Sequence, residues 1–123
     1  MTGPELFEPT AVQSRPGRPI GRVIIAADHD PAEPAFFEWE LHAQEWSDEH
    51  PHDEYAYVLD GELHVTVQGT TVVAAAGALV RVPAGTRGHY AAPVFARILS
   101  VYGPRPPGAH DPRGVLRPLD ARI

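Results

Sequence analysis

His50, His52 and Glu54 stand at alternate positions in the run His50-Pro51-His52-Asp53-Glu54. In an extended chain, residues spaced i, i+2, i+4 point to one face. Imidazole nitrogen and carboxylate oxygen are ligands for zinc, iron, manganese, nickel or copper. Divalent-metal binding is therefore the first chemistry to weigh. The plain alternative is that seven His in 123 residues fall two apart by chance. Distance bears on the choice. On a straight strand the Cα atoms of His50 and Glu54 lie roughly 13 Å apart, at ~3.3 Å per residue. A His and a Glu sharing one ion span only roughly 11 Å. Either Pro51 bends the chain or the two do not share a metal. An unligated Glu54 in an apolar interior is a candidate catalytic acid/base, because desolvation raises a carboxyl pKa.

The elements that must position these groups read as short strands. Ile20–Ala27 is a β-branched run. Over Ala35–Ala43, Phe37, Trp39, Leu41 and Ala43 alternate with Phe36, Glu38, Glu40 and His42, as in a half-buried strand. Tyr55–Leu59, Gly61–Gln68, Thr71–Ala76, Leu79–Val82 and Val94–Tyr102 follow, and Asp60-Gly61 between alternating runs predicts a hairpin turn. Tyr55 and Tyr57 lie opposite Glu54 and read as packing. Tyr90 and Tyr102 read as pocket lining or core. Arg81, Arg87 and Arg97 read as exposed, with binding of a substrate carboxylate as the rival role. His42 and His64 fall on polar faces. No segment longer than about eight residues keeps a helical period. Seven or eight short strands predict an all-β sandwich or barrel.

Composition bounds the function. The chain is one domain of ordinary globular make-up, 43% hydrophobic and 21% charged. We expect residues 1–34 to form an arm and first strand, 35–104 the barrel, and 105–123 a Pro-rich tail packed on the same domain. A net charge of −6 argues against a nucleic-acid partner. All ten basic residues are Arg, so Schiff-base chemistry and a P-loop lysine are excluded. No Cys is present, so there is no disulfide framework. No apolar run reaches the ~18 residues of a membrane span. The start, Met1-Thr2-Gly3-Pro4-Glu5, lacks the form of a signal peptide, and a cytoplasmic location is the default expectation.

Two spaced motifs carry a resemblance to a known family. Glu54, six residues and Gly61 match the end of the first cupin motif (His, any residue, His, three or four residues, Glu, six residues, Gly). Gly77, five residues, Pro83, one residue and Gly85 match the start of the second, which continues with two residues and His. From about Phe36 to Pro104 the chain resembles the cupin superfamily, whose members are double-stranded β-helix (jelly-roll) barrels. Counting back from Glu54 puts His50 in the second histidine's place and Asp48 in the first's. The second-motif histidine falls at Gly88, one residue before His89. Asp53-Glu54, Tyr57-Val58-Leu59-Asp60-Gly61 and His89-Tyr90 are similar to the ethanolamine-utilisation type, a subgroup without the usual full metal triad.

These observations lead to an all-β cupin barrel with a metal set of His50, His52, Glu54 and His89. The resemblance implies that His89 returns to the barrel mouth from a separate strand. The expected cofactor is a divalent transition metal (Zn, Fe, Mn or Ni). The expected activity is that of an isomerase, lyase, decarboxylase or dioxygenase on a small polar metabolite. The rival is a metal-free cupin that binds a small ligand as a sensor or accessory subunit. Open sheet edges predict a homodimer with the arm as a strand-exchange element.

Overall fold

The computed structural model describes residues 3–30, 32–104 and 114–119. Seven strands occur among them: β1 (Ile20–Ile25), β2 (Ala35–Glu49), β3 (Glu54–Val67), β4 (Thr70–Ala75), β5 (Leu79–Val82), β6 (Arg87–Tyr102) and β7 (Val115–Pro118). No helix occurs among the described residues, so none is present to cross a membrane. The strands pair antiparallel in the order β1-β2-β6-β3-β4, with β5 on β3 and β7 on β2. The fold is an all-β jelly roll. Its core holds Trp39, Leu41, Val58, Leu63, Val65 and Ile98.

Three strands are longer than their sequence patterns predict, and bulges are the reason. In β2 the ladder to β6 slips between His42 and Gln44, where Ala43 takes a φ of 49°. One extra residue reverses which side of the sheet each parity faces. Odd-numbered Trp39 and Leu41 are therefore buried before the bulge, and even-numbered Trp46 and Asp48 after it. The alternation breaks at Ala43 although the strand runs on.

The same device overturns the predicted hairpin at Asp60-Gly61. β3 passes through this point without reversing, and its ladder to β6 slips on either side. Gly61 has a φ of 81°, and a Cβ there would collide with the Phe95 carbonyl. Parity again switches, from Glu54, Ala56 and Val58 to Leu63 and Val65. In β6, Pro93 lies where both neighbouring ladders skip residues, at the bulge positions a proline tolerates.

One further placement differs from the sequence pattern. Tyr57 is 39% exposed rather than packed, because it shares the outer face of β3. Arm and tail both lie against this chain's own strands. Gln13 bridges Gly21, the Thr10 amide donates to the Val23 carbonyl, and β7 pairs with Gln44 to Ser47 of β2. β7 has one partner strand, which lets Pro118 sit in it. Residues 105–113 and 120–123 of the expected tail lie outside the described residues.

Candidate functional site

Asp48, at the end of β2, enters the barrel because of the parity switch at Ala43. Glu54 opens β3. Between them His50-Pro51-His52-Asp53 leaves the strand conformation. Pro51 bends the chain, so the straight-strand distance does not apply, and His50 Nε2 comes within 3.8 Å of Glu54 Oε1. His50 Nε2 also lies 2.8 Å from Asp48 Oδ2, which accepts the Trp46 indole N–H at 2.8 Å. One donor atom from each of Asp48, His50 and Glu54 falls within 4.8 Å of the others.

Glu54 is held from the other side. The Tyr90 hydroxyl donates to its Oε1 at 2.7 Å, and the Ser100 hydroxyl to its Oε2 at 2.8 Å. Ser100 in turn accepts the Trp39 indole N–H at 2.8 Å. Burial raises the Glu54 pKa, the charge on Asp48 adds to this, and Tyr90, His50 and Ser100 only partly offset it. Burial and the Glu54 carboxylate push the Tyr90 phenol above its usual range, so it remains a donor.

The expected metal set is divided by this geometry. His50 and Glu54 come together, and Asp48 joins them. His52 is buried beside the group, its ring stacked on His50 at 4.9 Å and its Nδ1 donating to the Asp53 carbonyl at 3.3 Å. Tyr102 packs against both imidazoles, at 4.6 Å from His50 and 4.9 Å from His52. His89 stands apart from the cluster. It is paired with Ser47 and Thr66, and as neighbour of the inward-facing Tyr90 it points to the other side of β6. The inward position is Gly88, opposite Asp48, and a Cβ there would come 2.7 Å from the Tyr90 hydroxyl. The phenol thus fills the place from which a ligand at residue 88 would project.

Of the arginines singled out in the sequence, Arg97 bonds Glu38 at 2.9 Å, Arg81 lies 3.7 Å from Asp53, and Arg87 reaches Ser47 at 3.3 Å. His42 pairs with Glu40 at the surface, and His64 lies 3.3 Å from Glu62. A cavity of about 320 Å³ opens above the group. Asp48 and His50 form its floor, Trp39, Trp46 and Tyr102 its walls, and Arg15, Arg18 and Arg22 its rim. The rim arginines carry no sequence periodicity. Their signal is the turn-forming Arg15-Pro16-Gly17-Arg18.

The donor set suits a divalent cation. It offers two carboxylates and one imidazole, all buried or nearly so, and Asp48 Oδ1 is a buried oxygen with no hydrogen-bond partner among the described residues.

Comparison with known proteins agrees with the architecture. The cupin domain family matches residues 35–102. Acetate kinase EutQ of Salmonella typhimurium is 37% identical over 70 residues, covering 57% of this chain and 27% of that protein. Acetate kinase EutQ of Clostridioides difficile is 32% identical over 68 residues, covering 55% of this chain and 38% of that protein. The chain thus spans between a quarter and two fifths of the length of these curated relatives. An RmlC-like cupin from Shewanella frigidimarina superposes with a TM-score of 0.65 at 21% identity, covering 80% of this chain and 86% of that one. The match over the whole barrel, on the same strands that carry Asp48, His50 and Glu54, makes this chain a member of the cupin family, similar to its EutQ type.

Proposed function

We propose that the chain is an enzyme acting on a small polar metabolite, with a divalent transition metal held by Asp48, His50 and Glu54. The convergence of those three buried donors within 4.8 Å is the observation that carries it. When bound, the metal would polarise a carbonyl or a bound water. Without the metal, Glu54, its pKa raised by burial, would hold or move a proton at Oε1, beside His50 Nε2 and the Tyr90 hydroxyl. Tyr90 and Ser100 fix the carboxyl plane.

A second reading has its own observation. Both oxygens of Glu54 already accept hydrogen bonds, and Tyr90 occupies the space a fourth ligand would use. That favours a metal-free site that binds a small ligand or works by proton transfer alone. The curated relatives are named acetate kinases, so acetate is a compound to assay under either reading.

Metal analysis separates the two. Protein supplemented with zinc, iron, manganese and nickel is expected to retain one equivalent of one of them. Chelation is expected to lower the melting temperature, since a ligand bound only to the native state at a hundred times its Kd adds about 2.7 kcal/mol. His50→Ala and Asp48→Asn are expected to abolish retention, and His52→Ala to weaken it less. Protein that stays metal-free and melts identically with and without chelator overturns the metalloenzyme.

A further inference from the structure

The rim of the cavity carries chemistry that the buried group does not use. Arg15-Pro16-Gly17-Arg18 has the residues of a type II turn. Pro16 presets φ at the second position, Gly17 takes a φ of 75° at the third, and the Arg18 N–H donates to the Arg15 carbonyl at 3.2 Å. The turn is tied to β1 by reciprocal bonds between Gln13 and Gly21, at 2.8 and 3.1 Å. β1 in turn rests closely on β2, since a Cβ at Gly21 would meet the Glu38 carbonyl at 2.7 Å. Both arginines therefore spring from a backbone fixed by its own sequence.

Their side chains line the same cavity that has Asp48 and His50 at its floor. The Arg18 guanidinium lies 5.9 Å from the ring centroid of Trp46, whose indole N–H bonds Asp48. Charge pairing sets these two apart from their neighbour. Arg22, on the same rim, is neutralised by Glu38 at 3.0 Å. Neither Arg15 nor Arg18 has an ion-pair partner among the described residues. In a chain of net charge −6, two uncompensated guanidiniums at a pocket mouth form a local positive field. A planar guanidinium matches the oxygens of a carboxylate or phosphate.

We propose that Arg15 and Arg18 bind the oxyanion group, carboxylate or phosphate, of a small metabolite whose other end reaches Asp48 and His50 at the floor of the cavity. This deepens the enzymatic reading, on which it rests for the chemistry at that other end. Anion capture at the rim stands on the arm and the cavity alone.

The test uses the full chain, stripped of metal and then freed of chelator, at constant ionic strength. It is titrated with sodium acetate and, separately, with inorganic phosphate, and followed by calorimetry and melting temperature. Saturable millimolar binding of at least one anion is expected, weakened tenfold or more in the Arg15→Ala/Arg18→Ala double variant. Both arginines are exposed, so an unchanged far-UV spectrum is expected of that variant. Saturation by acetate assigns a carboxylate, and saturation by phosphate assigns a phosphoryl group. Saturation by neither, or equal affinity in the double variant, overturns the proposal. Because the protein is metal-free throughout, this result is independent of the metal analysis.

Discussion

Ser100 does more than its size suggests. It takes a proton bond from Trp39 on β2 and gives one to Glu54 on β3, so a single hydroxyl satisfies two buried groups. Ser100→Ala orphans both, at about 1–3 kcal/mol for each buried unsatisfied group. Tyr90→Phe orphans only Glu54 Oε1. Ser100→Ala is therefore expected to lower stability in urea by about 2–6 kcal/mol, and Tyr90→Phe by about half as much. Equal costs for the two variants would show that the relay does not couple the strands. Of the residues around Glu54, the sequence marks Glu54 and His50 through motif spacing. Asp48 is reachable only by counting back to a place where the family pattern has histidine. Ser100 is invisible, because nothing local says which side of β6 it faces.

Glu38 ties three neighbouring strands together. Burial alone would raise its pKa, but Arg22 of β1 and Arg97 of β6 bond it and leave it below the ordinary carboxylate value. A lowered native pKa gives stability that is present above the unfolded value, near ~4.3, and lost as pH falls through the native one. Glu54 has the opposite sign. Its raised native pKa gives stability that is full below ~4.3 and lost as pH rises through the native value. In chelator-treated protein, Glu38→Gln is expected to flatten the acid limb of a stability–pH curve, and Glu54→Gln the limb above it. Both guanidiniums are over a third solvent-exposed, so the Glu38 effect should stay within ~1 kcal/mol. An acid limb unchanged in Glu38→Gln would remove this carboxylate as its source. At this scale the strand pattern was readable wherever parity held. It failed at Ala43 and Asp60-Gly61, since a bulge erases the alternation that marks a strand. The arm turn was hidden for a related reason, because two arginines around Pro-Gly acquire meaning only when the hairpin folds over the barrel mouth.

Across the whole molecule, the glycines and proline of the two motifs made the family legible before any contact was known. The arm bonds to its own β1, which covers much of that edge, and among the described residues β4, like β5 and β7, has a single partner strand. From Gly69 to Val80 there is no charged residue and no proline. Natural edges are normally protected by one or the other. Val72, Val73 and Leu79 are 46%, 60% and 60% exposed along this same stretch. We propose that the chain is a homodimer that covers this edge with a second copy, rather than by exchanging the arm. Light scattering at micromolar concentration is expected to give the mass of two chains. Val73→Arg should shift it to one, since a charge would have to be buried at the contact. Arg15→Ala/Arg18→Ala should leave it unchanged. A monomeric native chain, or a Val73→Arg variant that remains dimeric, would remove β4 as the contact surface.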